Sequence, residues 1–125
     1  MDITPLIPEG AQIVESYGGG GFRIAGQRYQ GAVAVLPASV LDWPDAAVDE
    51  ASLGALVERI VTDFPALEVL IIGTGETARL PGKALRHDLR QRGIGVEAMD
   101  TGAACRTFNV LLAEGRRVAA ALVAI

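Results

Sequence analysis

The sequence predicts an α/β fold with a β-rich section added at its N-terminal end. Three observations carry that expectation. From residue 50 onward, helical patterns alternate with short apolar runs. Those runs are continuous rather than alternating, as strands need to be when helices cover both faces of a sheet. Before residue 50, apolar residues alternate with polar ones between glycine turns.

The N-terminal third reads as antiparallel β. Gly18 to Gly21 separate QIVESY from FRIAGQRYQGAVAVLP, and both flanks have strand character, so the glycines make a turn at a sheet edge. Phe22 and Ile24 flank Arg23, Ala25-Gly26 suggests a hairpin turn, and Tyr29, Val33 and Val35 continue the alternation. No helix start follows the glycine run, so it lacks the aligned N–H groups of a phosphate site.

WPDAAVDEAS then supplies a proline break and capping residues. Leu53, Leu56, Val57, Ile60, Val61 and Phe64 share one helical face, and Pro65 stops the run. Val69 to Ile72 is a buried strand. Leu80 to Arg92 reads as a second helix, with Pro81 near its first position and Gly93 at its end. Gly95 to Met99 is a short strand. Ala103 to Glu114 is a third helix that faces inward through Ala104, Phe108, Leu111 and Leu112, and Val118 to Val123 is a last buried strand. The expected arrangement places residues 32–36, 69–72, 95–99 and 118–124 in one mixed sheet, flanked by the helix that begins near residue 50.

A chain of 125 residues matches one ordinary domain, 1–125, able to bury about two thirds of the surface its unfolded form exposes. Apolar residues make up 50% and charged ones 21%, with 15 acids against 11 bases. That describes a soluble protein with a mildly acidic surface, a poor match to a nucleic-acid partner. The single Cys105 cannot form an internal disulfide, which suits a reducing compartment. One Cys and one His are too few for a structural zinc site, and no cofactor is implied. No apolar stretch approaches the roughly 20 residues of a membrane helix, and MDITPLIPEG lacks a secretory pattern, so a cytoplasmic location is expected.

The segment LIIGTGETARLPGKAL, residues 70–85, raises the question of a phosphate loop. Gly73-Thr74-Gly75-Glu76-Thr77-Ala78 fits the dinucleotide pattern Gly-x-Gly-x-x-Gly/Ala after a strand, with Glu97 and Asp100 where a ribose-binding acid would lie. A helix opening only at Leu80-Pro81 starts too late to aim its N–H groups at a pyrophosphate, and Glu76 adds unfavourable charge. The Walker pattern fits less well, because six residues rather than four separate Gly75 from Gly82-Lys83, and Ala84 stands where a Ser or Thr would hold magnesium. A glycine turn at a strand end is the favoured reading.

A second candidate region is Met99 to Asn109, where Asp100 or Thr101 caps the next helix. Its first-turn N–H groups, including that of Gly102, and Arg106 could meet a small anion there. Both this helix start and the Gly73 loop follow strand C-terminal ends, where α/β sheets bind ligands. The candidate cleft therefore comprises Gly73, Thr74, Gly75, Asp100, Thr101, Gly102 and Arg106. Cys105 sits where a helix terminus and Arg106 would lower a thiol pKa, but it has no evident base. His87, in Arg86-His87-Asp88, falls on the polar side of the second helix. Cys105 is therefore expected to be dispensable, and no catalytic residue is assigned. Trp43, beside Pro44, is expected to pack beneath a loop.

The segments GFRIAGQRYQGAVAVLP, EVLIIGTGE and LPGKALRHDLRQRGIGVEAMDTGAACRTFNVLLAEGRRVAAALVAI together resemble the Mth938-like family, a domain of unknown function. The resemblance spans almost the whole chain and is most specific from Gly93 to Ala124, with Phe108 where many members carry Tyr. It implies a three-layer α/β fold with a central mixed sheet and an extra β layer. The family includes a mitochondrial complex I assembly factor and an adipogenesis-associated protein. The resemblance therefore implies a protein partner of unknown identity and a peripheral association with a membrane complex, and offers no catalytic set to carry over. Two function classes stay open: a non-enzymatic binding or assembly module, and a small-anion or nucleotide enzyme using Gly73 to Gly75 and Asp100 to Asn109.

Overall fold

The computed structural model describes residues 10–125; the stretch read as lacking a secretory pattern lies, except for Gly10, outside the described residues. Its elements are β1 (Val14–Gly18), β2 (Gly21–Ile24), β3 (Gln27–Gln30), β4 (Val33–Val35), β5 (Val40–Asp42), α1 (Glu50–Asp63), β6 (Val69–Gly73), α2 (Lys83–Gln91), β7 (Gly95–Met99), α3 (Thr101–Ala113) and β8 (Val118–Leu122).

Five strands form a mixed sheet in the order β5-β4-β8-β6-β7. β5, β4 and β8 pair antiparallel, while β8, β6 and β7 run parallel. The expected strands at 32–36, 69–72, 95–99 and 118–124 all lie in it. The sheet is covered on both faces, which explains the unbroken apolar runs. On one side Ala34, Leu70, Ile72, Ala119 and Ala121 pack with Leu53, Leu56, Val57 and Ile60 of α1 and Leu85 and Leu89 of α2. On the other, Val33, Val35, Ile71, Val118, Ala120 and Leu122 pack with Ala104, Cys105, Phe108 and Leu112 of α3 and with Phe22 and Ile24. Phe22 and Ile24 belong to β2, the middle strand of a second, antiparallel sheet β1-β2-β3. The result is the three-layer α/β arrangement with an additional N-terminal β layer.

Local chemistry explains the boundaries. Gly19 and Gly20 have φ of 61° and 79°, the paired left-handed conformations that a tight hairpin between β1 and β2 requires. Asp49 caps α1, its carboxylate accepting from the Ser52 N–H at 2.7 Å. Trp43 is buried and its indole N–H donates to Ser52 Oγ at 2.9 Å, which anchors the loop before α1.

The main departures from the sequence expectation have local causes. The alternation through Tyr29, Val33 and Val35 belongs to two sheets, because Gly31, with φ 86°, breaks the chain between β3 and β4. β5 is an added strand; with three residues it is too short for a periodic signal. α2 starts at Lys83 rather than Leu80, since Pro81 biases Leu80 towards extended backbone and Gly82, with ψ 152°, takes the capping position. α3 starts at Thr101 rather than Ala103, because Asp100 takes the capping position.

Candidate functional site

The strand order creates a switch point. β6 leads through α2 on one face of the sheet and β7 leads through α3 on the other, so their C-terminal loops diverge. Open α/β sheets bind ligands at such a crevice. Gly73, Thr74 and Gly75 stand on one side of it, and Asp100, Thr101 and Gly102 on the other. The fold thus brings together the residues that sequence spacing had grouped.

Hydrogen bonds close the crevice. The Thr74 N–H donates to Met99 O at 2.9 Å and the Thr101 N–H to Gly75 O at 2.8 Å. Thr101, fully buried, accepts from the Gly75 N–H at 2.9 Å and donates to Val123 O at 2.7 Å. One hydroxyl therefore ties together the β6 loop, the start of α3 and the end of β8. The Thr74 hydroxyl donates to Thr77 O at 2.6 Å and accepts from the Arg79 N–H at 3.0 Å, so the exposed segment 76–80 winds around it. Among the described residues no buried side-chain nitrogen or oxygen lacks a partner.

The first turn of α3 is likewise occupied. Asp100, not Thr101, is the cap: its carboxylate accepts from the Ala103 N–H at 3.0 Å. A Cβ placed on Gly102 would lie 2.5 Å from the Tyr17 hydroxyl, so that phenol covers the turn. Arg106 is exposed and its Nη1 donates to the same hydroxyl at 3.3 Å. α2, the helix a dinucleotide would need, begins at Lys83 with Gly82 as its cap, well beyond Gly75.

Gly73 is explained by close approach. A Cβ there would sit 3.0 Å from Ala104 Cβ, 3.0 Å from Leu122 Cδ2 and 3.1 Å from Thr101 Cα. Gly73→Ala should cost about 1 to 3 kcal/mol, because α3 must shift outward along its length. Gly102→Ala meets only the end of Tyr17, a side chain that is 40% exposed and can swing away. Although Gly102 is itself buried, the neighbour that must give way is a side-chain end rather than a helix, so its loss should be clearly smaller than that of Gly73→Ala. Urea denaturation of the two variants checks the contrast.

Cys105 is a packing residue by its surroundings. It is 3% exposed, and burial, only partly offset by the Arg106 charge, pushes its thiol from an ordinary 9.0 up to about 12. His87 is exposed on α2, and the central sheet separates the two. Because the native thiol holds its proton where the unfolded one releases it, this group's contribution is full below pH 9 and declines as pH rises towards 12. Native protein at pH 8 should therefore label with a maleimide at least roughly a hundredfold more slowly than unfolded protein. Cys105→Ala should flatten the fall in stability between pH 9 and the upper limit of refolding.

No group of three or more His, Cys, Asp or Glu residues among the described ones could hold a metal ion, and no helix among them is long and apolar enough to cross a membrane.

Residues 14–123 match the family described as "Protein of unknown function (DUF498/DUF598)". The chain is 43% identical over 119 residues to the human NADH dehydrogenase [ubiquinone] 1 alpha subcomplex assembly factor 3, an alignment that covers 90% of this chain and 61% of the human protein. It thus spans about three fifths of that relative's length. Among solved structures, a Bartonella henselae protein described as an outer membrane protein superposes with a TM-score of 0.82 at 36% identity, covering 92% of this chain and 96% of that one. A Bordetella pertussis protein described as a Mth938-like domain gives 0.77 at 32% identity, covering 98% and 92%.

Proposed function

We propose, for a chain that belongs to the DUF498/DUF598, Mth938-like family, a non-enzymatic role as a binding module that helps assemble a respiratory or other membrane-bound complex. The observation that carries this reading is the 43% identity to a human complex I assembly factor along nearly all of this chain. The candidate site supports it. Thr74, Asp100 and Thr101 spend their polar groups on the protein itself, and the one thiol is buried and held protonated.

On this reading residues 1–125 act as one domain in the cytoplasm and meet the membrane complex through a protein partner. Gly73, Thr74, Gly75, Asp100, Thr101 and Gly102 form a rigid joint at one end of the sheet. Arg106, beside Tyr17, is the member of that group presented to a partner's acidic group or to a small anion.

Two measurements test the proposal. Deleting the gene in the source cell should lower the amount of assembled NADH dehydrogenase on native gels, with restoration by the intact chain. Calorimetric titration with NAD, NADP and ATP should show no binding at micromolar concentrations, a regime worth about 8 kcal/mol. A nucleotide that binds, and is lost in Gly75→Val while the fold persists, would hand the function to the enzyme reading.

A further inference from the structure

β7 ends the five-stranded sheet, and among the described residues nothing pairs with its outer side. The bonds Gly95 N–H to Glu68 O, at 2.9 Å, and Thr74 N–H to Met99 O, at 2.9 Å, show that residues 95 and 99 point their backbone groups inward to β6. A parallel ladder alternates, so Glu97 does the same while Val96 and Ala98 turn their N–H and C=O groups outward. The edge therefore offers two donors and two acceptors in strand geometry.

Other edges are blunted. β5 has three residues, and the Asp42 carbonyl at its end is taken by Arg59 Nη1 at 2.7 Å. β1 is held at Val14 by both amide groups of Asn109, and β3 carries exposed Gln27, Arg28 and Gln30. Natural sheets protect open edges by such shortening, covering and charge.

Grooves flank β7 on both faces. On the α2 side a groove of about 220 Å³ is lined by Leu80, Arg86, Arg90, Ile94 and Val96, with Leu80 73% exposed. On the α3 side one of about 340 Å³ is lined by Val69, Glu97, Thr107, Leu111 and Arg116. Among the described residues Arg86, Arg90 and Glu97 join no salt bridge, which leaves unpaired positive charge on one face and an unpaired carboxylate on the other. A strand docked here alternates its side chains between the two grooves.

We infer that the β7 edge is a strand-acceptor site, which pairs with an extended segment of a partner protein in which an acidic residue facing Arg86 and Arg90 adjoins a basic residue facing Glu97. The inference deepens the binding-module reading and rests on it. A second copy of this chain is a poorer occupant, since antiparallel self-pairing of Val96 with Ala98 sets two Glu97 carboxylates directly opposite, an unfavourable pair.

The test is an NMR titration with a capped peptide, Thr-Val-Thr-Lys-Glu-Val-Thr-Val. It should bind with Kd below about 1 mM, shift the Val96 and Ala98 amide signals and slow their solvent exchange by roughly tenfold or more. Ala98→Pro removes one outward N–H without touching the inward ladder, a position where edge strands accept proline. It should weaken the peptide by roughly tenfold, as should Arg90→Glu, whose exposed position on α2 keeps the fold intact should the proline variant unfold. Absent shifts at Val96 and Ala98, or unchanged affinity in a folded edge variant, overturns the inference. Concentration-dependent protection of the same amides without peptide overturns it in favour of self-association. A cellular partner that still binds Ala98→Pro leaves the assembly reading standing and removes only the edge, whereas normal NADH dehydrogenase in the deletion strain sinks that reading without deciding the titration.

Discussion

Phe108→Ala should lower the unfolding free energy by about 3 to 5 kcal/mol, a large share of the roughly 5 to 15 kcal/mol that holds an ordinary domain together. Phe108 is fully buried, and its cluster joins three layers: Val33, Val35, Ile71 and Ala120 from the central sheet, Ala104 and Leu112 from α3, and Phe22 and Ile24 from the β1-β2-β3 sheet. Alanine at this position leaves a void that no single layer can close by moving, because each is bonded or packed to the others. Phe108→Leu retains most of the volume and should lose distinctly less. Guanidinium unfolding followed by circular dichroism gives both values; a loss below about 1 kcal/mol for the alanine variant would mean that the β layer is only loosely attached.

Thr101→Val should cost about 2 to 4 kcal/mol although it changes shape hardly at all. The variant keeps the volume and removes the hydroxyl, stranding the Gly75 N–H and the Val123 carbonyl that the hydroxyl now serves. Both groups lie in or beside buried chain, where an unpaired donor or acceptor keeps its full desolvation penalty. Thr101→Ser retains the hydroxyl and should recover most of the loss. Hydrogen exchange at Gly75 separates this account from a packing effect: its amide should be protected in the parent and in the serine variant, and exposed in the valine variant.

The strands were legible wherever burial on both faces forced a run, as in Val69 to Ile72 and Val118 to Val123, because such runs have few other uses in a short chain. α1 announced itself through Leu53, Leu56, Val57 and Ile60, all of which are buried. The sheet change at Gly31 carried no local mark beyond one glycine. The candidate cleft was legible as a neighbourhood, since both loops follow strand ends, but not as a joint. What closes it is the bond from Thr101 to Val123 and the contact of Arg106 with Tyr17, separated by 22 and 89 residues. Local pattern cannot report such partners. Asp100 as the cap could not have been chosen over Thr101 from the sequence, because both residue types cap helices, and only the burial of the Thr101 hydroxyl against the end of β8 decides it.

β8 lies between β4 and β6, and those two strands meet only through it. During synthesis the chain emerges from its N-terminal side, so the β4-β5 hairpin and the β6-β7 pair exist as separate pieces until residues 118 to 122 are released. Neither piece can bury both of its faces before then, and joining them closes long loops, which is slow relative to local pairing. The nascent protein should therefore acquire its protease resistance late and nearly all at once, and should depend on whatever shields apolar segments on the ribosome up to that moment.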